Sequence, residues 1–512
     1  MAALVAALFG LVFALSFSRA IRAGGNHDEH QFIASAQLLV EHGLLPYRDY
    51  AYFHLPNLIF VYGLLFKFTA YKLLAARLLS AVCITAMAGL VFYFSMDLFR
   101  QASQKMALAA GFGAVLLLLA NPLLAYTGSF AWNHNLAMLL SLLAAILLWQ
   151  GARRARPVWW IFASGLCLGL AVGTRLSFLS ALLPFAVALY FYPGDTSVKR
   201  WMGLAATLAA GFGLAMLPTL LLFGLAPAQF IFGNFTYPYL NTFYREEAGF
   251  FGPPNPMTAA EKWSYFWDYV LPQPGNLLLF VALSFFGFTT GLVGLWRGKG
   301  ERFELAFFLL LALFVGWGAL LPTPAWYQYY AAAVPFAILA VVLGLARLVH
   351  RFPAQSGWFL AIFLQLVILA NVYQWGDFRR MTFLLHPEAW RPLIFHELGL
   401  QVSELSQGGK VLTLAPLYAL EGGAPIYAEF ATGPFAWRTA PWLTSLERSR
   451  FKLVSAQDLE QYLQTQPPAA ILVGYEPGLD DPLIDYALAH GYGWVELTPE
   501  SGLWLSPELA LP

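Results

Sequence analysis

Runs of about 20 apolar residues, long enough to carry an α-helix across a ~30 Å hydrocarbon layer, recur along this chain of 512 residues. They leave the backbone little choice. In lipid no water satisfies its N–H and C=O groups, so such a run must bond within itself as a helix. We read about eleven, near residues 2–21, 74–98, 106–126, 133–150, 157–174, 176–193, 202–224, 276–296, 304–322, 329–348 and 357–375. Composition agrees: 59% of residues are hydrophobic and 11% charged, against roughly 25% charged in soluble domains. That much apolar surface exceeds what one soluble core can bury. The formal net charge of +1 points to no nucleic-acid partner. Cys83 and Cys167 lie in apolar runs, as buried thiols do, and form no disulfide framework. Aromatic residues make up 17% of the chain, and Trp and Tyr near segment ends suit anchoring among interfacial lipids. No internal repeat is visible.

Orientation follows from lysine and arginine in the short loops. Arg100 and Lys105 follow the second run, Arg153, Arg154 and Arg156 the fourth, and Lys199 and Arg200 the sixth. Arg297, Lys299 and Arg302 follow the eighth, and Arg347 and Arg351 the tenth. Every second loop is basic, which predicts a cytoplasmic N-terminus; only Arg19 and Arg22, at the outer end of the first run, disagree. The N-terminal run lacks a basic leader and a clear cleavage site, so it is expected to stay as a span.

This arrangement places three segments outside the cytoplasm: 22–73, 225–275 and everything after about 376. Residues 1–375 are then a transmembrane domain and 376–512 an extracytoplasmic one. In the first segment, "HQFIASAQLLVEHGLL" (30–45) has apolar residues at helical spacing and predicts an interfacial helix. "LPNLIFVYGLLFKFTAY" (55–71) is short for a span and contains Lys67, so a second interfacial or re-entrant helix is expected. In the last segment, "KVLTL" (410–414) and "AAILVG" (469–474) resemble short buried strands. "SAQDLEQYLQTQ" (455–466) reads as a helix with Ser455 at the N-cap and Asp458 in a capping box. Strand, helix, strand predicts a small α/β domain.

Between the first run and the interfacial helix stands "GGNHDEHQF" (24–32), with four ionisable side chains in consecutive positions. As the end of a membrane helix this is odd, because a helix C-terminus prefers cations. The stretches "HDEHQFIASAQLLVEHGLLPYRDYAYFHLPNLIFVYGLLFKF", "AARLLSAVCITAMAGLVFYF", "GLCLGLAVGTRLSFLSALLPFAVALY" and "WYQYYAAAVPFAILAVV" together resemble, in content and order, the GT-C superfamily of membrane glycosyltransferases. The resemblance is to the protein O-mannosyltransferase and aminoarabinose-transferase-like branch (glycosyltransferase family 39-like), and covers residues 1 to about 350. It implies a polyprenyl-phosphate-linked sugar donor, used at the outer face of the plasma (inner) membrane on a lipid, glycan or protein acceptor. It also implies a loop acid acting as general base, which maps onto Asp28 with Glu29 beside it, and an acid after "PY", which maps onto Asp49. Two departures stand out. Leu55-Pro56, preceded by His54, replaces the Pro-Pro or Lys-Pro before the second interfacial helix. "WNHN", Trp132 to Asn135, replaces an acid in the next outer loop.

The residues themselves suit that chemistry. A base works best with a pKa near the working pH, and partial desolvation at a membrane boundary raises a carboxylate towards it. Asp28 could equally just solvate a helix end. A departing phosphate needs fixed cations. Arg175, in "VGTRLSF" between two apolar runs, is costly there unless paired or facing a cavity, and the resemblance implies a basic residue at this place; the alternative is snorkelling to the interface. Arg48, Lys67 and Arg245 are further candidate cations. His54, His134, Asp49 and the aromatic Tyr327 and Tyr330 of "WYQYY" are candidate substrate contacts, although aromatics also suit interfacial packing. His27, Asp28, Glu29, His30, His54 and His134 have donor atoms suited to a divalent metal, yet no ligand spacing marks a site. Two other classes fit the composition: a transporter or flippase of a lipid-linked sugar, which often shows repeats and broken midplane helices, and an assembly protein binding a partner through its outer domain.

Overall fold

The first apolar run ends at Arg22, and the acids that follow it open a new helix. In the computed structural model, which describes residues 1–100, 102–194, 197–249, 256–288 and 299–509, helix Ala2–Arg22 is followed by helix His27–His42. The Asn26 side chain accepts the Asp28 backbone N–H at 2.9 Å, a standard N-cap. Asp28 and Glu29 therefore sit in a first turn, where the helix dipole favours negative charge. This corrects the expectation that they stand at the unfavourable end of a span. Gly43 closes the helix in the left-handed conformation, at φ 65°.

Every expected run is mainly helical over its described residues, but their lengths differ. Six helices are long and apolar enough to cross a membrane by themselves: Ala2–Arg22, Lys72–Leu98, Asn133–Gly151, Val198–Leu225, Tyr327–Arg351 and Pro353–Val372. Four expected spans are shorter apolar helices, Gln104–Leu119, Val158–Thr174, Leu176–Tyr190 and Phe307–Ala319. The third run is divided because Asn121 caps a new short helix, Pro122–Thr127. The run expected at 276–296 is entered through a 103° bend from Ala259–Val270 into Pro274–Gly287; its residues 289–296, and Arg297 after them, lie outside the described residues. Residues 250–255 of the second large outer segment do so as well. The segment expected as a second interfacial or re-entrant helix contains helix Asn57–Phe66, ten residues long and apolar. Val158–Thr174 and Val198–Leu225 pack backbone to backbone: a Cβ at Gly165 would lie 2.0 Å from the Leu208 carbonyl oxygen, and one at Gly211 2.1 Å from that of Phe162. Small residues permit this approach in lipid, where dispersion and close fit drive association.

The two arginines that break the basic-loop alternation have a structural explanation. Arg19 Nε and Arg22 Nη2 pair with Asp377 at 2.9 and 3.1 Å, just past the last long helix. Arg19 is 7% exposed and also donates to Gln374. Their charge serves a helix-to-helix tie.

The C-terminal region forms a four-stranded sheet of order β1-β2-β4-β3, with β1 Val411–Thr413, β2 Ala470–Val473, β3 Gly493–Thr498 and β4 Ser501–Leu505. β1 and β2 run parallel, and β4 is antiparallel to both β2 and β3. The Ser455–Asp458 capping box is present and starts a 3-10 turn followed by helix Leu459–Leu463. The final hairpin, β3 and β4, was not anticipated. This region is seated on the helix ends around Leu73 and His30. Glu421 accepts from the Leu73 N–H and lies 3.0 Å from His396 Nδ1, and the Leu417 N–H donates to His30 Nδ1 at 3.3 Å.

At the helix ends beneath the C-terminal region lies a fully buried ion pair. Arg77 and Glu29, both 0% exposed, meet through Nε–Oε1 at 2.9 Å and Nη2–Oε2 at 2.7 Å. Arg77 also donates to the carbonyls of Ala20, Ala23 and Gly24, and Glu29 Oε1 accepts the Ala131 N–H at 2.7 Å. Removing one member leaves an uncompensated buried charge, so Glu29→Gln or Arg77→Met should each destabilise the fold by about 3–5 kcal/mol. The pair Glu29→Leu with Arg77→Met should recover part of that loss. Denaturation midpoints of the purified protein in detergent check both.

Candidate active site

Because successive helical residues are turned by about 100°, Asp28 and Glu29 cannot face the same way. Glu29 points into the core and is consumed by Arg77. Asp28 points into a cavity of about 780 Å³, within the size range of small-molecule sites. The cavity is walled by the start of helix His27–His42, the loop carrying Phe53 to Leu55, the 132–134 turn, Arg175, helix Tyr237–Glu247, the 317–329 segment and Phe435 of the C-terminal region. Glu29 thus shapes the site from behind: by holding the Ala131 N–H it fixes the turn that presents Asn133 and His134. The expectation that Glu29 shares the chemistry with Asp28 is corrected on that ground.

The Asp28 side chain is 28% exposed and lines the cavity. Among the described residues none donates a hydrogen bond to its carboxylate; His27 Nε2 stands 3.8 Å from Oδ1. Burial raises its pKa, opposed by the positive charges of Arg438, Arg175 and Arg245. Arg175 is 8% exposed, donates to Asn133 Oδ1 at 3.0 Å and stacks 4.7 Å from the Tyr329 ring. Arg175 terminates helix Val158–Thr174 in extended backbone, which turns its side chain inward. Arg245 lies against Tyr244 and Trp326, 5.5 and 5.2 Å from their ring centroids. Burial lowers the pKa of both arginines, the cost of keeping a cation beside a cavity. His54, with its pKa pushed down to about 3 by burial and by Arg175, is neutral at physiological pH; its backbone carbonyl accepts from the Tyr47 hydroxyl. His134 lies 5.7 Å from Tyr329, ring to ring. Leu176, Leu179, Trp317 and Leu321 add apolar side chains to the lining.

Of the residues singled out from sequence, His27, Asp28, His54, His134, Arg175 and Arg245 line this cavity. The others lie elsewhere. Arg48 and Asp49 pair with each other at 2.7 Å on the surface, Arg48 being 45% exposed, and Asp49 Oδ2 holds the Leu45 N–H. Lys67 is exposed. The Tyr327 hydroxyl donates to Gln273 and that of Tyr330 to the Lys262 carbonyl, so both brace the wall from outside. Among the described residues no group of three or more His, Cys, Asp or Glu side chains is placed to hold a metal ion. Tyr329 and Arg438 were missed. Tyr329 lies inside "WYQYY", two places from Tyr327 and next to Tyr330, and only its rotation about a 3-10 turn distinguishes it. Nothing in the sequence marks Arg438.

No family model matches the chain, and no curated protein does. Among solved structures it superposes on ArnT from Cupriavidus metallidurans, with a TM-score of 0.63 in the apo state and 0.62 bound to undecaprenyl phosphate. Both pairs are 14% identical and cover 100% of this chain and 99% of the other. The archaeal oligosaccharyltransferase AglB from Archaeoglobus fulgidus, in complex with an inhibitory peptide and a dolichol-phosphate, matches with a TM-score of 0.50 and 15% identity, over 99% of this chain and 74% of that one. The chain therefore shares the fold of these two proteins: a polytopic helical membrane protein with a small sheet-containing C-terminal region.

A carboxyl whose pKa is raised in the folded state binds its proton more tightly there than in the unfolded chain, so its ionisation at higher pH costs stability. Asp28→Asn should accordingly leave the unfolding midpoint at pH 7 unchanged or raise it, and remove a loss of stability seen as pH rises through the folded-state pKa. Thermal unfolding in detergent across a pH series checks this.

Proposed function

We propose that this protein is an integral-membrane, inverting glycosyltransferase that moves one sugar from a polyprenyl-phosphate carrier to an acceptor at the extracytoplasmic face. A single observation carries the reading: an aspartate free of hydrogen-bond donors shares a large cavity with buried arginines and apolar side chains. Transfer from a phosphate donor uses each of these. The Asp28 carboxylate takes the proton of the acceptor hydroxyl as its oxygen attacks the anomeric carbon, and its raised pKa brings it nearer to working pH. Arg175, with Arg245, stabilises the charge that gathers on the departing phosphate. Fixed cations in a water-poor site act strongly on such charge without reorganising. The apolar side chains of Leu176, Leu179, Trp317 and Leu321 receive the isoprenoid chain. ArnT of Cupriavidus metallidurans, which shares the fold, binds undecaprenyl phosphate, and this supports a lipid-phosphate ligand here.

In this reading the basic loops face the cytoplasm, the chain resides in the plasma (inner) membrane with its N-terminus inside, and residues 376–512 form the outer domain. That domain covers the site from above while residues 1–375 carry it.

Purified protein in proteoliposomes with a radiolabelled polyprenyl-phosphate sugar should transfer label to an extracted acceptor. Asp28→Asn should abolish transfer, and Arg175→Ala should lower it by about 10²–10³-fold, the usual cost of removing one such electrostatic contact. Movement of the labelled lipid between leaflets that survives Asp28→Asn, with no transfer by the wild type, would establish a flippase instead.

A further inference from the structure

The roof of the cavity brings two acids to the two nitrogens of one imidazole. His27 Nε2 stands 3.8 Å from Asp28 Oδ1, and His27 Nδ1 stands 3.8 Å from Glu476 Oε1. Glu476 comes from the C-terminal region, more than 400 residues away in sequence. Its other oxygen, Oε2, is held by Arg438 Nη2 at 3.0 Å, and its backbone N–H donates to Asp480 Oδ2 at 3.1 Å. The carboxylate is thereby fixed with Oε1 turned to His27. The imidazole rests edge-on against Phe435, ring centroids 5.5 Å apart. Asn26 performs the helix cap, so His27 has no capping duty.

We infer that His27 and Glu476 form a proton relay that clears Asp28 after each transfer; this rests on the reading of Asp28 as the base. In the step itself, the acceptor oxygen bonds to the anomeric carbon, the carbon–oxygen bond to the phosphate breaks with its electron pair, and the hydroxyl proton goes to Asp28. Asp28 then returns to carboxylate by giving that proton to His27 Nε2 while the Nδ1 proton passes to Glu476 Oε1. Glu476 releases it to water. The two transfers are concerted, because burial and the charges of Arg438 and Arg245 hold the imidazole pKa down to about 3 and disfavour imidazolium. His27 is 42% exposed, which lets water restore its starting tautomer. Both 3.8 Å gaps exceed a hydrogen bond by roughly 1 Å; catalytic contacts of this kind are commonly long before substrate arrives and tighten in the complex.

Without the relay the proton on Asp28, which is 28% exposed, has no positioned acceptor and leaves more slowly, so turnover suffers while binding does not. In the proteoliposome assay with the full-length protein, His27→Ala should lower kcat by about 10²-fold, the lower end of acid–base contributions, with KM unchanged. Added imidazole should restore much of the rate, and His27→Gln, which hydrogen-bonds but cannot pass a proton through, should stay slow. Glu476→Gln should lower kcat similarly, and the double variant should be no slower than His27→Ala alone, as for groups acting in series. Wild-type kcat in His27→Ala, losses that multiply in the double variant, or no rescue by imidazole would each overturn the relay. Transfer retained by Asp28→Asn would instead remove the base on which it rests. Should His27→Ala fail to fold, Glu476→Gln at wild-type kcat decides against the relay by itself.

Discussion

The end of the helix bundle that carries the cavity is organised around one buried ion pair. Arg77, deep on helix Lys72–Leu98, ties off the carbonyls at the end of the first helix and grips both oxygens of Glu29 at the start of the second. Glu29 in turn holds the Ala131 N–H. Three segments far apart in sequence are thus locked in one place. A buried pair gains little over apolar packing in net stability; what it contributes here is registry. With Glu29 committed inward, the helical turn obliges its neighbour Asp28 to face the cavity.

Around that cavity the charges are arranged with one accessible acid among cations. Arg175 is steadied by Asn133 and Tyr329, and Arg245 by its aromatic neighbours. Keeping such groups in a desolvated pocket costs free energy, seen in the lowered pKa of both arginines and the raised pKa of Asp28. An arrangement of that kind suits a negatively charged ligand with a reacting hydroxyl nearby, and the apolar side chains suit a hydrocarbon tail on that ligand. One pocket therefore holds the three elements that the proposed sugar transfer requires.

The C-terminal region belongs to the same machinery. It docks through Glu421 on the Leu73 N–H, through Leu417 on His30, and through Phe435 on the cavity itself. Arg438 adds its field to Asp28, and Glu476 meets His27. Opening this region away from the helices would leave the first turn of helix His27–His42 exposed and Asp28 in ordinary water, where its pKa has no reason to shift.

Much of this was legible in the chain itself. Apolar length fixes helices, because lipid permits the backbone nothing else, and all eleven runs are mainly helical over their described residues. Asp28, an acid in an otherwise greasy chain, was visible as an anomaly, as was Arg175 between two spans. Other features depended on distant partners. Glu29 and Asp28 are alike in sequence, and only Arg77 separates the structural acid from the accessible one. Arg19 and Arg22 read as a violation of the charge rule until Asp377 is placed beside them. Arg438 and Glu476 carry no local signal, since their proximity to Asp28 arises from the docking of the C-terminal region. Sequence periodicity and charge are local properties and determined the elements and the acid worth watching; which side chains share a cavity depends on contacts between segments hundreds of residues apart, and only the tertiary structure decided that.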